Sequence, residues 1–344
     1  LNQRTDIAGA VTQRWNSLTK PPGSLGRLES LVRDYAVIHG SPQPPLRGKA
    51  IAIFCSDHGV VEENVTAYPG EVTAQMVRNF LRGGAAISVL CRCGGIEPVI
   101  VDAGVNADPE PGVIDRKIAR GTRNFAREPA MTRAQAQLAI DHGAALAAEL
   151  KSRADIAGIG EMGIGNTASA SALLCAFAGI PPEQAAGPGA GLSSEGVRHK
   201  AQVIARAIAL HRPDPRDPVG TLAAIGGFEI AMMTGFLLGA SSHRLPVVID
   251  GFICCSAVLA AKALDPQVGS CLIFSHVSAE PAHRRMLEYL GARPLLDLEM
   301  RLGEGTGAAL VIGLLANALA LYNGMATFGE AQVTSTDPVA RVPD

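Results

Sequence analysis

Apolar residues recur along this chain at two spacings, and for most of its length the two alternate. Residues 6–18 read as a helix, and 20–24 (KPPGS) as a turn. Residues 25–38 read as a second helix, with Leu28, Leu31, Val32 and Tyr35 at helical spacing, ended by the breakers of 40–45. From residue 49 short apolar runs bounded by breakers begin: 49–55 (KAIAIFC), 97–102 (EPVIVD), 155–160, 245–250 (LPVVID) and 271–275. Such runs predict buried strands. Between them lie helical stretches at 70–82, 132–151 with Thr132 as N-cap, 166–178, 193–211, 219–240, 252–264, 279–290 and 305–322. Residues 115–125 are ambiguous, 213–218 is a linker with three prolines, and the polar tail after Gly329 reads as loose.

Strands separated by helices of this length predict an α/β fold with a doubly wound parallel sheet. The two N-terminal helices have no neighbouring strand. They are expected to join the C-terminal helix in a small helical subdomain. The expected division is residues 1–45 plus about 308–344 for that subdomain, and 46–307 for the large α/β domain.

Composition narrows the function. A net charge of −2 with 18% charged residues gives no electrostatic reason to expect nucleic acid or an anionic membrane as partner. With 4% aromatic residues, stacking platforms for single strands are not expected either. The seven cysteines form no C-x-x-C pair, which argues against a disulfide framework and for a reducing cytoplasm. Residues 1–15 are polar and broken by charges, unlike a signal peptide. The apolar stretch 306–322 carries Asn317 and is slightly short for a span, so a buried core helix is expected there.

Chemistry gathers at the strand ends, where open parallel sheets bind ligands. Five predicted strands end in polar residues: Ser56-Asp57-His58, Asp102, Glu161, Asp250-Gly251 and Ser275-His276. One shared cleft is the expectation. The turn from Gly158 to Thr167 joins a strand to a helix. Its glycines, including Gly163 and Gly165, let backbone approach a ligand, and the helix start at Asn166 and Thr167 offers N–H groups to an anion. No Gly-Lys-Ser/Thr closes it, so it is not a P-loop. Gly187-Pro188-Gly189 opens a second helix that carries Lys200. Gly303-Glu304-Gly305 places a carboxylate in a glycine-walled turn before an apolar helix.

Eight segments together carry a resemblance. They are Lys20-Pro21-Pro22-Gly23-Ser24-Leu25-Gly26, Asp57-His58-Gly59-Val60, Tyr68 through Met76 (YPGEVTAQM) and Gly160 through Thr167 (GEMGIGNT). Gly187-Pro188-Gly189, Asp250-Gly251-Phe252, Ser275-His276 with Ser278-Ala279-Glu280, and Leu302 through Gly307 (LGEGTG) complete the set. In this order the chain resembles the nicotinate-nucleotide–dimethylbenzimidazole phosphoribosyltransferase family. The resemblance implies a Rossmann-like sheet with a small helical domain from both chain ends, and a homodimer. It implies transfer of 5-phosphoribose from nicotinate mononucleotide to 5,6-dimethylbenzimidazole in cobalamin nucleotide-loop assembly. No cofactor is expected, and no metal, since the residues offer no convincing ligand cluster and the donor is already activated by its pyridinium. The resemblance further implies Glu304 as catalytic base and Glu161 as a second carboxylate near the ribose. Phosphate and nucleotide contacts would come from Gly163, Gly165, Asn166, Thr167, Gly187, Pro188, Gly189, Lys200, Asp250 and Ser278. The base pocket would draw on Tyr68, Gln75, Met76 and Leu302. Asn64 and Thr66 depart from the family's pattern, where glycine and serine are more frequent.

Two other readings stay open on the residues alone. A metal-dependent hydrolase would use Asp57, His58, Asp102, Asp250 and His276, residue types suited to a di-metal site, although no H-E-x-x-H spacing occurs. A non-catalytic nucleotide-binding protein would need neither Glu304 nor Glu161.

Overall fold

The structure is a computed structural model and describes residues 2–334. Six strands form one parallel sheet: β1 (Lys49–Ser56), β2 (Glu97–Gly104), β3 (Ile114–Asp115), β4 (Ile156–Met162), β5 (Val247–Ile249) and β6 (Leu272–Phe274). Their order is β3-β2-β1-β4-β5-β6. This is the Rossmann-like, doubly wound arrangement: the chain leaves β1 in one direction and crosses to β4 in the other. A crevice is left at the carboxyl ends where the direction reverses. Every residue of β1 from Ala50 to Ser56 is buried. Successive strand residues face opposite sides, so both faces of the sheet centre are covered, which is why that run is apolar without alternation.

The chain divides into two compact units, residues 1–47 with 311–344, and residues 48–310. In the first, Trp15 packs on Tyr322 with ring centroids 5.1 Å apart, Leu18 bridges to Thr327, and the Tyr322 hydroxyl donates to the Pro42 carbonyl at 3.0 Å. The second contains the sheet. The helix Thr306–Gly324 is long and apolar enough to cross a membrane. Ala308, Val311, Ile312, Leu315, Ala318 and Leu319 are nonetheless buried along it.

Most predicted elements are present. Thr132 caps the helix Arg133–Lys151, and with Gln135 it forms a capping box, an arrangement that stabilises a helix by about 1 kcal/mol. The differences have local causes. The single helix predicted at 219–240 is two, Pro218–Ile225 and Phe228–Ser242, separated by Gly226-Gly227 in extended conformation. A helix at Ala86–Gly94 falls where no element was predicted. Glycines on both sides hold it to nine residues, too few for a periodicity to register. The helix predicted at 279–290 begins at His283, since 279–282 is taken up by a turn containing Pro281. β3, two residues long, lies at the edge of the stretch read as ambiguous. The tail expected to be loose lies mostly outside the described residues.

Within the larger unit, Arg133–Lys151 and Phe228–Ser242 pack backbone to backbone. A methyl group at Gly143 would collide with the Met232 carbonyl oxygen, and one at Gly235 with the Ile140 carbonyl oxygen.

Candidate active site

A cavity of about 690 Å³ opens at the carboxyl ends of β4, β5 and β6. Glu161 reaches it from the end of β4, Asp250 from just past β5, and His276 from just past β6. Further walls come from Thr66, Tyr68, Val72 and Met76 after β1, and from the turns at Gly189-Ala190 and 301–304. Three of the five polar strand ends therefore meet in one cavity, and two do not. His58 is fully buried beneath it, its Nε2 2.7 Å from Glu229 Oε1 and its Nδ1 3.1 Å from Ser169 Oγ. Asp57 accepts the Asn106 N–H at 2.8 Å. Asp102 accepts the Val105 N–H at 2.8 Å and pairs with Lys117 at 3.2 Å.

The break at Gly226-Gly227 explains the His58 pair, because it sets Glu229 in the first turn of a new helix, facing the imidazole. Among the described residues no three His, Cys, Asp or Glu side chains are grouped to hold a metal ion. Of the five side chains a di-metal hydrolase would use, Asp57, His58 and Asp102 lie off the cavity and only Asp250 and His276 line it.

Glu304 is the unusual residue. Gly303, Glu304 and Gly305 have φ of 80°, 63° and 88°. Left-handed backbone is ordinary for glycine, but for a residue with a Cβ it costs about 1–2 kcal/mol. The turn is held against the sheet, since any side chain at Gly160 in β4 would overlap the backbone of Glu304 and Gly305. Glu304 is 6% exposed, and its Oε2 has no hydrogen-bond partner. Burial raises its pKa above the ordinary carboxylate range, against the pull of the Ile87 backbone N–H.

Glu161 shares the cavity wall. One of its oxygens accepts the Asn166 side-chain amide. Burial first, and then the charge of Asp250, push it up to about 8, while the Asn166 bond works the other way. Asp250 is also raised by burial, to about 7, against N–H donors from Ala308, Gly305 and Gly307. With those donors at a helix N-terminus, Asp250 keeps its charge more readily than Glu161, so the first proton shared between them goes to Glu161.

The turn expected to receive an anion borders the cavity. Gly163, Gly165, Asn166 and Thr167 line the cavity where the helix Asn166–Ala178 begins. The Thr73 hydroxyl fixes the turn by accepting the Ile164 N–H at 3.1 Å. Gly189 and Ser278 line the cavity, whereas Gly187 and Pro188 do not. Lys200 is absent from the wall. It lies fully buried behind it, donating to Thr167 Oγ1 at 2.7 Å and to the Gly187 carbonyl at 3.2 Å. An ammonium only donates, so Thr167 must accept from it, and the threonine hydroxyl hydrogen is left to point at a ligand. Burial lowers the Lys200 pKa to about 8, opposed by Glu280.

Of the residues expected at a flat base, Tyr68, Met76 and Leu302 line the cavity and Gln75 does not. Tyr68 and Leu302 are about half exposed, at 50% and 58%. Thr66 lies in the wall, and Asn64 has φ 57°. Asparagine is among the few residues besides glycine that tolerate that conformation.

Sequence reasoning assigned no role to Arg301 or Glu280, and both line the cavity. Arg301 donates to the Gly189 carbonyl at 3.3 Å. Glu280 packs on Gly187 and takes a bond from the Gly189 N–H. Glu280 stood in a quoted motif, but nothing in the local pattern of Arg301 distinguishes it from a surface arginine.

Comparison with known proteins bears on this site. A family model described as a phosphoribosyltransferase matches residues 2–333. The chain is 50% identical over 320 residues to the nicotinate-nucleotide–dimethylbenzimidazole phosphoribosyltransferase of Geobacter sp. (strain M21), covering 92% of each. It is 49% identical over 338 residues to the protein of the same name from Cupriavidus necator, covering 97% of this chain and 96% of that one. Among solved structures, it is similar to CobT from Thermus thermophilus, with TM-score 0.90 and 42% identity, over 96% of this chain and 99% of that one.

Proposed function

This chain belongs to the nicotinate-nucleotide–dimethylbenzimidazole phosphoribosyltransferase family, and on that premise we propose that it moves 5-phosphoribose from nicotinate mononucleotide to 5,6-dimethylbenzimidazole. The products are α-ribazole 5′-phosphate and nicotinate, the former used in cobalamin nucleotide-loop assembly. The observation that carries this reading is Glu304, a buried carboxylate on the cavity wall with an unpartnered oxygen.

The donor phosphate sits on the helix start at Gly165–Thr167 and on the Gly189 turn, with Thr167 oriented by Lys200 from behind. The acceptor ring lies among Tyr68, Met76 and Leu302 with its N–H toward Glu304. Glu304 takes that proton, and the opposite ring nitrogen attacks C1′. The bond to nicotinate breaks with its electrons passing to the pyridinium nitrogen, so the leaving group departs neutral at that atom and needs no acid. Direct displacement inverts C1′. Positive charge grows on the ribose as the bond lengthens, and Glu161 stabilises it. Burial and the charge of Asp250 favour the protonated form of Glu161, and the cationic ring of the donor favours its ionised form.

On the same reading the protein works in the cytoplasm as a homodimer. All seven cysteines are free, which suits a reducing compartment. The decisive experiment is incubation with both substrates and mass analysis of the products. α-Ribazole 5′-phosphate is expected, and ribose 5-phosphate alone would favour a hydrolase. Light scattering tests the dimer.

A further inference from the structure

The resemblance placed Asp250 among the nucleotide contacts, but its surroundings describe a different task. The Gly303–Glu304–Gly305 turn has three successive positive φ angles, a conformation that persists only where surrounding structure imposes it. Asp250, immediately after β5, supplies that constraint. Its Oδ2 accepts the Gly305 N–H at 3.2 Å. Its Oδ1 accepts the N–H groups of Gly307 at 2.8 Å and Ala308 at 3.1 Å. Both oxygens are therefore committed to the backbone that immediately follows Glu304.

Asp250 is itself anchored. The Ser275 hydroxyl, 2.9 Å from the Asp250 carbonyl oxygen, donates to it, and the same hydroxyl lies 2.9 Å from His276 Nδ1. His276 packs so tightly on Gly307 that a methyl group there would collide with its ring. A carboxylate also has the wrong sign to receive a phosphate dianion.

We infer that Asp250 is a positioning residue that pins the Glu304 turn through the Gly305, Gly307 and Ala308 amides, and not a ligand of the donor nucleotide. The inference rests on the reading of Glu304 as base. It assigns the end of β5 the job of aiming a group carried by a different segment, so that sheet and base move as one body.

The test uses the full-length enzyme and Asp250→Asn, whose amide nitrogen cannot accept an N–H bond. Misplacement of a catalytic group by about 1 Å costs on the order of 10²-fold in rate. A kcat loss of roughly that size is expected, with dissociation constants for both substrates, measured directly by calorimetry, within about twofold of native. Amide exchange should quicken at 305–308. Gly307→Ala keeps the carboxylate but presses a methyl on the His276 ring and to 2.9 Å from Asp250 Oδ1, so the turn must shift; it should reproduce the kcat loss and keeps the idea testable if the asparagine variant folds poorly. A tenfold weaker donor affinity with native kcat in Asp250→Asn would overturn the inference and leave the base reading intact. A Glu304→Gln enzyme with native kcat would remove the base reading, and this inference with it.

Discussion

Glu304 stands in a conformation that a glycine would adopt more comfortably, and this allows backbone strain and chemistry to be separated in one position. Consider Glu304→Gly beside Glu304→Ala. Both remove the buried carboxyl, whose desolvation with an unpartnered oxygen costs about 1–3 kcal/mol. Only glycine relieves the left-handed backbone, worth about 1–2 kcal/mol, against about 0.5–1 kcal/mol for the greater freedom of glycine in the unfolded chain. Glycine should therefore exceed alanine by about 1 kcal/mol. Because the side chain lines an open cavity, no sealed void is left behind. Both variants should be more stable than the native chain at neutral pH.

The pH dependence has a definite sign. The folded pKa of Glu304 lies above its unfolded value. Its destabilising effect is therefore absent below the ordinary carboxylate range and grows as pH rises toward the raised value. The gain from Glu304→Gly should accordingly be larger at pH 8 than at pH 4. Urea denaturation followed by circular dichroism reads the stability, and steady-state assay of the same preparations reads the rate. The rate should fall ~10²–10⁴-fold, about 3–5 kcal/mol of barrier. If alanine matches glycine in stability, the strain argument is wrong. If glycine retains native kcat, Glu304 is not the base.

Further expectations concern the donor. Gly189→Val, with φ 53° and Thr167 Oγ1 3.0 Å from any added Cβ, should raise the donor KM about tenfold or more with the acceptor KM little changed; equal effects would contradict the phosphate placement. Lys200→Met should weaken donor binding while sparing the free base, and calorimetry on each substrate separately would expose the opposite pattern. With Lys200 lowered to about 8, native donor affinity should decline as pH rises through that value, and a flat profile there would remove its charge from the argument. Turnover should survive excess chelator, since the leaving ring is already cationic; loss reversed by one divalent metal would revive a metal mechanism.

The sheet was legible because its strands are short apolar runs cut off by glycine and proline, a signal that does not depend on partners. The strand order was legible only as a class, for nothing in the run 49–55 states which strand lies beside it. Glu161 was picked out as a strand end and Glu304 and the Gly163–Thr167 turn by their glycines, and all line the cavity; the roles given to the two carboxylates came from the resemblance. The resemblance put Lys200 among the phosphate contacts, and in the structure it lies one layer behind the cavity wall, on Thr167 and the Gly187 carbonyl: whether a lysine faces a cavity or the hydroxyl that lines it is decided by tertiary packing. The break at Gly226-Gly227 was missed because a mostly apolar run dominates a periodicity count, and with it went Glu229 as the partner of His58. Arg301 reaches the cavity through a loop whose path no local pattern encodes.

Replacing helical glycines by alanine is a standard route to thermostable enzymes, worth roughly 0.4–1 kcal/mol each where the backbone permits. Gly143 and Gly235 look like ideal targets in a sequence, each inside a helix. Each faces a carbonyl oxygen of the other helix with no room for one carbon atom. Alanine at either would push the two helices apart along their line of contact and lift Phe228–Ser242, and with it Glu229, from its place under the cavity floor. A heat-resistant form of this enzyme would have to be sought elsewhere, and any library that recodes glycines by helix propensity should hold these two fixed.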